Sequence, residues 1–240
     1  MKLRVMICAI VAGAALFADD VTSPTFGLIR VTDTASSNTV IGVPWKNIGD
    51  DGNVTLSNLV SAATLATGDI VYLYEGETWL GYQLSAGGVW EALTTVNGTD
   101  VVSPQAADAK RLARGTGLII QRAHNTNPVY LCGRCDSDAA TTEIAANSLV
   151  LVANSSDAEM TIGSTVGAAG DQLRVPLNGG AMKIYEKDSV NGWGSWEETV
   201  TMRGGRPKTT RAWQNGCSFL PGMGGWYVSG TAGTSITWGN

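Results

Sequence analysis

Apolar residues in this chain gather in short runs separated by Gly, Asn and Asp, a rhythm that predicts strands. The runs are residues 26–31, 39–43, 70–74, 117–121, 148–152 and 226–228. In Ile70-Val71-Tyr72-Leu73-Tyr74 neither alternate set is polar, as expected of a strand covered on both faces. Asp51-Gly52, Asn97-Gly98, Asn178-Gly179 and Asn191-Gly192 mark turns, because these pairs accept the positive φ of tight hairpins. Helical spacing occurs twice. Leu56, Leu59, Val60 and Ala63 predict one or two turns after Thr55, and 103–114 predicts a longer helix, with a structured loop as the competing reading. There Ser103 would cap, Pro104 would take the first helical position and Gly115 would stop it.

A cassette recurs along the chain. Residues 68–74, then Trp79, Tyr82 and Trp90, close on residues 112–120. Residues 180–185, then Trp193, Trp196 and Trp213, close on residues 220–228. Gly68-Asp69 and Gly170-Asp171 add a further landmark, at the expense of an assumed insertion of about ten residues in the second copy. A period this long is foreign to solenoids and suits tandem β units. The expected organisation is an export signal at 1–18, a first β unit at 19–122, a cysteine-containing connection at 123–146 and a second β unit at 147–240. The expected fold is all-β: two related β-sandwich-like units with little helix.

Composition agrees. Thirty glycines with only 15% charged residues suit a turn-rich β protein. Lys2 and Arg4 precede an apolar run, residues 5–17, that is short for a bilayer span and reads as a secretory signal. The expected location is therefore extracellular, cell-surface or periplasmic, with no membrane attachment once the signal is cleaved after Ala18. The net charge of −5 becomes about −7 without Lys2 and Arg4, and an acidic chain without a basic stripe argues against nucleic acid. Beyond the signal stand Cys132, Cys135 and Cys217, an odd count that leaves one thiol over. Cys132 pairs with Cys135 in a small loop, or one of them bridges to Cys217.

The elements Ile184-Tyr185, Trp193-Gly194-Ser195-Trp196 and Leu220-Pro221-Gly222-Met223-Gly224-Gly225-Trp226-Tyr227-Val228-Ser229 together resemble a β-repeat of secreted and surface proteins from Verrucomicrobia, Planctomycetes and Lentisphaerae. In that repeat an aromatic strand and a Trp-rich hairpin lead to a proline-glycine-x-glycine-aromatic strand. The resemblance implies export and β architecture, and brings no catalytic residue with it. The first copy departs from the pattern, with Ala113-Arg114 in place of Pro-Gly and Leu118-Ile119 in place of the aromatics.

Candidate chemistry centres on the aromatics. Trp79 with Tyr82, and Trp193 with Trp196, are candidate binding residues, since flat rings displayed on a sheet can stack on sugars. Packing between layers is the competing use of the same residues. The glycines before Trp226 precede a strand, whereas a phosphate cradle needs a helix N-terminus. Cys132-Gly133-Arg134-Cys135 has one CxxC half without a redox helix, and a zinc site would have to recruit His124 and Cys217 without diagnostic spacing. Neither a metal nor a cofactor is expected. His124 is the one histidine, and neither a nucleophile elbow nor an HExxH helix is present, so no catalytic residues are assigned. Glu75 and Glu77, or Glu197 and Glu198, are the acids a hydrolase would need. Arg203, Arg206, Lys208 and Arg211 form a local basic patch, read as a solvated loop, with docking of an anionic surface polymer as the alternative. The expected function is a non-catalytic structural or adhesive module whose partners are a surface polysaccharide or further copies of the chain. The alternative is a carbohydrate-binding module with coplanar exposed aromatics, and the third reading is a secreted hydrolase.

Overall fold

A computed structural model describes residues 26–31, 38–42, 54–59, 65–75, 77–96, 99–107, 109–112, 114–115, 117–123, 129–134, 139–156, 158–176, 181–203 and 206–238. The proposed signal, His124 and Cys135 lie outside them. The chain is all-β. The first half contains β1 (Phe26–Val31), β2 (Asn38–Gly42), β3 (Val54–Thr55), β4 (Ile70–Glu75), β5 (Thr78–Leu84), β6 (Trp90–Val96), β7 (Thr99–Ala106), β8 (Arg111–Leu112), β9 (Gly117–Gln121) and β10 (Val129–Arg134). The second contains β11 (Ala140–Ile144), β12 (Leu149–Ala153), β13 (Met160–Thr161), β14 (Gln172–Pro176), β15 (Met182–Asp188), β16 (Gly192–Arg203), β17 (Arg206–Asn215), β18 (Ser218–Phe219), β19 (Gly224–Val228) and β20 (Thr234–Trp238). Among the described residues the helix content is one turn, α1 (Leu56–Leu59), where the spacing predicted it.

The two halves share one order of connections. The first sheet runs β2-β9-β4-β5-β6-β7 and the second β12-β19-β14-β15-β16-β17, every pair antiparallel. Two-stranded ladders accompany each, β3 with β8 and β13 with β18, and further β1 with β10 and β11 with β20. The stretch 123–146 is accordingly divided, β10 pairing into the first half and β11 into the second. The first core lies between its six-stranded sheet and β3–β8, the second between its sheet and both β13–β18 and β11–β20. Val71, Leu73, Tyr82 and Leu84 meet Val54, Leu56 and Leu112 in one. Leu173, Val175, Trp193 and Tyr227 meet Phe219, Ile236 and Trp238 in the other. The burial of Val71 and Leu73, with Tyr72 and Tyr74 on the opposite face, is the period-2 alternation of a strand.

The halves meet across a pseudo-twofold, the arrangement of an isologous interface. Gly42 N–H donates to the Gly222 carbonyl at 2.8 Å, and at equivalent positions Ala153 N–H donates to the Gly115 carbonyl at 3.3 Å. On the outer face Tyr74 and Trp79 reach Trp226 of the second half, with ring centroids 6.1 and 5.3 Å apart. In the apolar outer set of β4, Tyr74 is thus covered by the other half and Tyr72 by Trp79 of its own.

Registers correct three expectations. Gly170-Asp171 leads directly into β14, so no ten-residue insertion exists, and residues 182–185 belong to β15, the counterpart of β5. The closing segments match with Gly115 on Gly222 and Ile119-Ile120 on Trp226-Tyr227, one residue away from the sequence alignment. The helix predicted from Ser103 is strand β7 up to Ala106. There the β6–β7 ladder shifts register, Leu93 facing Val102 but Glu91 facing Ala106. Pro104 falls in this irregularity, where its lack of an N–H costs no ladder bond.

Candidate functional site

The structure separates the members of each predicted aromatic pair. Residues three apart on a strand point to opposite faces, so Trp79 is out and Tyr82 in, Trp196 out and Trp193 in. Tyr82 and Trp193 are 8% and 3% exposed, while Trp79 and Trp196 are 45% and 52% exposed. Tyr82 and Trp193 are therefore core residues, and no coplanar exposed pair forms at either place. Nor are the pairs equivalent. Leu84 faces Trp90 as Lys187 faces Trp193, so the counterpart of Trp193 is the buried Trp90. Trp193 packs on Tyr227 at 5.7 Å and donates its Nε1–H to the Val166 carbonyl at 2.8 Å. Trp79 lies in an edge-to-face cluster with Tyr72, Tyr74 and Trp226.

Each sheet is anchored by a buried aspartate. Asp69 and Asp171 follow Gly68 and Gly170, both with φ of +92°, a conformation that glycine adopts without strain. Asp69 accepts the Ala66 N–H at 2.9 Å and the Ala123 N–H at 2.8 Å. Asp171 accepts the Ala168 N–H at 2.9 Å and the Gly230 N–H at 2.7 Å. The third partner differs. Arg122 donates its Nε–H to Asp69 at 2.8 Å, both side chains fully buried, whereas Tyr227 donates its hydroxyl to Asp171 at 2.7 Å. Burial, reinforced by Asp171, pushes the Tyr227 phenol well above its usual range. These corners are frameworks, since every oxygen is occupied from within the chain.

The acids weighed for hydrolysis are dispersed. Glu75 is tied to Lys110 at 2.6 Å, and Glu77 stands in a turn with φ of 63°. Glu198 pairs with Arg211 at 2.9 Å, on the face of its strand opposite to Glu197. Asp188 closes the β15–β16 turn, and the N–H groups of Asn191 and Val190 hold its carboxyl below the usual range. Among the described residues no cluster of three His, Cys, Asp or Glu could hold a metal. Of the pairings left open, the one to Cys217 is not formed: Cys217 is a free, buried thiol, which burial pushes up to about 12. The Cys132 backbone pairs with Leu28, and the Cys132–Cys135 pairing lies outside the described residues.

The feature that stands apart is β16 with β17. β15 supports β16 over three rungs, Glu186–Gly194 to Asp188–Gly192, and from Ser195 outward β16 is paired with β17 alone. The two strands run on to Arg203 opposite Arg206, an exposed two-stranded arm of roughly 30 Å at ~3.3 Å per residue. Cross-strand partners share a face. One face carries Trp196 with Trp213, Glu198 with Arg211, Val200 with Thr209 and Met202 with Pro207. The other carries Thr199 with Thr210, Thr201 with Lys208 and Arg203 with Arg206. At the root, the Trp213 ring lies against Gly194, where any Cβ would strike the ring and the Gln214 carbonyl. Trp196 meets Trp213 edge to face at 5.2 Å, with Arg211 5.8 Å over its ring. Beside this root the parting of β15 from β16 opens a groove of about 540 Å³, lined by Ile184, Glu186, Trp196 and Glu197 among others.

The basic segment read as a loop is thus an edge strand. Thr199, Val200, Thr201, Thr209 and Thr210 supplied β-branched strand signal, and Gly204-Gly205 supplied a hairpin turn signal. Compared with family models, curated proteins and solved structures, the chain matches none.

Proposed function

We propose that the chain is an exported, non-catalytic surface or extracellular module with a structural or adhesive role, in which a rigid double-sheet body presents the β16–β17 arm. The observation that carries this reading is the arm itself. Seventeen positions' worth of burial is forgone there: Val200 and Met202 are 61% and 69% exposed, on strands braced only by each other. A two-stranded ribbon is marginal in water by itself, so one that extends from a packed body is suited to contact with something outside it. The shared strand order and the matched Gly-Asp corners support descent of both halves from one segment, in keeping with the resemblance to secreted β-repeat proteins.

The test compares the full chain with a variant in which residues 200–209 are replaced by Asn-Gly, closing the hairpin on Thr199 and Thr210. Retention on the envelope of the producing cell, together with electron microscopy for fibres or layers, is the readout. The full chain is expected to be retained or to assemble, and the trimmed chain to do neither. Equal behaviour of the two, or turnover of a substrate by the purified chain, overturns the reading.

A further inference from the structure

We infer that the threonine-bearing face of the β16–β17 arm binds an anionic polysaccharide, one whose repeating units carry carboxylate or sulfate groups. This rests on the adhesive reading and names its partner. The alternation that places Val200 and Met202 on one face places Arg203, Arg206 and Lys208 together on the other, on adjacent rungs of the ribbon. Rungs on one face recur about every 7 Å, so the three cations form a compact patch at the end of the arm. The fourth cation, Arg211, is on the opposite face and already paired with Glu198. Among the described residues no carboxylate pairs with Arg203, Arg206 or Lys208.

Two arginines directly opposite each other repel and weaken a ribbon. An arm that keeps such a pair at its exposed end, on a chain of net charge −5, has a local sign opposite to that of the whole molecule. Arg203, Arg206 and Lys208 are all exposed, so a single small anion would gain only what an exposed ion pair gives. A polymer with repeated charges gains that increment at several rungs together, and arginine forks match carboxylate and sulfate oxygens in geometry. The Thr201 and Thr210 hydroxyls donate to the Lys208 and Thr199 carbonyls within the ribbon, which leaves their oxygens to accept from sugar hydroxyls, beside the Thr199 hydroxyl. Nucleic acid is the other polyanion, but single strands are held by aromatic platforms beside the cations. Here Trp196 and Trp213 are on the face away from Arg203, Arg206 and Lys208.

The experiment titrates the full chain with polygalacturonate, alginate and heparin, with neutral dextran and single-stranded DNA as comparators. Binding of the charged polysaccharides is expected at about 50 mM NaCl and its loss at about 500 mM. The variant Arg203→Gln/Arg206→Gln/Lys208→Gln should weaken it roughly tenfold or more, three exposed ion pairs being removed. Arg211→Gln, on the far face, should change it by about twofold at most. Since all three positions are exposed, an unchanged melting temperature for the triple variant is expected, and it excludes unfolding as the cause. Equal binding of dextran, tighter binding of DNA, or full binding by the triple variant overturns the proposal. If the polysaccharides bind through the patch while trimming the arm leaves envelope retention intact, the adhesive reading fails and this one stands. If retention needs the arm but no polysaccharide binds, the reverse holds.

Discussion

Trp90 and Trp193 occupy the same rung of their sheets, yet the strands that carry them diverge within a few residues. In the first half β6 stays paired with β5 as far as Gly81 opposite Leu93. In the second, the matching rung would join Ile184 to Trp196, and it is absent from the ladder. The cause lies in the next strand. The β6–β7 ladder contains an irregularity around Pro104, and a bulge of this kind bends and twists its strands. The β16–β17 ladder runs unbroken through ten rungs, so β16 keeps straight and leaves the sheet. Thr94 to Val96 also pair with β7 alone, so the halves differ in how far the outer hairpin runs past its neighbour, three rungs in the first and nine in the second. An unbroken ladder is what a display device requires.

A second contrast concerns the buried aspartates, and it carries the largest expected effect. Asp69→Asn removes the charge facing a fully buried Arg122, and breaking such a pair costs about 3–5 kcal/mol. Asp171→Asn faces a neutral Tyr227 hydroxyl and should cost about 1–3 kcal/mol, the penalty of a disturbed buried hydrogen-bond set. Urea unfolding of both variants measures the difference. Equal costs would mean that the charge on Arg122 contributes nothing particular to the first half.

The root of the arm offers the next comparison. A methyl group at 194 collides with the Gln214 carbonyl and the Trp213 ring, so Gly194→Ala should cost about 1–3 kcal/mol, the range for overpacking. Its counterpart is Glu91, which already carries a Cβ, so Glu91→Ala adds no atom there and should stay within about 0.5 kcal/mol. Thermal melts of the two variants test this. A mild Gly194→Ala would show that Trp213 is free to move off the strand.

These contrasts explain what the sequence disclosed and what it concealed. Strand composition was legible because it depends on local chemistry: 70–74, 117–121 and 148–152 all fall on strands within a residue. Asn191-Gly192 turns β15 into β16, while Asp51-Gly52, Asn97-Gly98 and Asn178-Gly179 lie outside the described residues. The opposite facing of Trp79 and Tyr82, and of Trp193 and Trp196, was also legible, since odd spacing along a strand reverses the face. What local chemistry omits is the partner. Pro104 after Ser103 has the form of a helix start, and only the ladder opposite, from Glu91 to Val96, makes it a strand irregularity. The return of β9 between β2 and β4 depends on contacts some 50 to 80 residues apart, and no periodicity encodes it. The basic arm was hidden for the same reason, because its charges follow the order of a loop until Arg203 is set opposite Arg206.

Cys217 stands where the first half has Lys110, each sending its backbone carbonyl to the residue after the short strand, Ile162 or Leu56. The pH dependence should differ accordingly. The unfolded thiol releases its proton near 8.5 to 9, about its ordinary value, and the folded one at about 12. Between these values the unfolded chain binds fewer protons, so stability is unaffected below about pH 9 and falls as pH rises toward 12. Cys217→Ala should reduce that slope by about 1.4 kcal/mol per pH unit from pH 9 upward. Denaturant midpoints at successive pH values measure the slope, and an unchanged slope would remove Cys217 from the account.

The smallest effect expected is the most telling for the arm. Replacing residues 200–209 by Asn-Gly deletes most of the ribbon but keeps Thr199 opposite Thr210, a rung of the same parity as Arg203 opposite Arg206, which a two-residue turn can close. The deleted side chains are exposed and support no other strand, so the melting temperature should shift by no more than the equivalent of about 1 kcal/mol. Amide exchange should agree, with residues 196–203 of the intact chain exchanging faster than residues 90–94, which are paired on both sides or next to a paired neighbour. A large loss of stability on trimming would make the ribbon part of the body's own packing. The contrast between a closed sheet and a displayed arm would then lose its functional meaning, because the exposed strands would be explained by the fold they hold together.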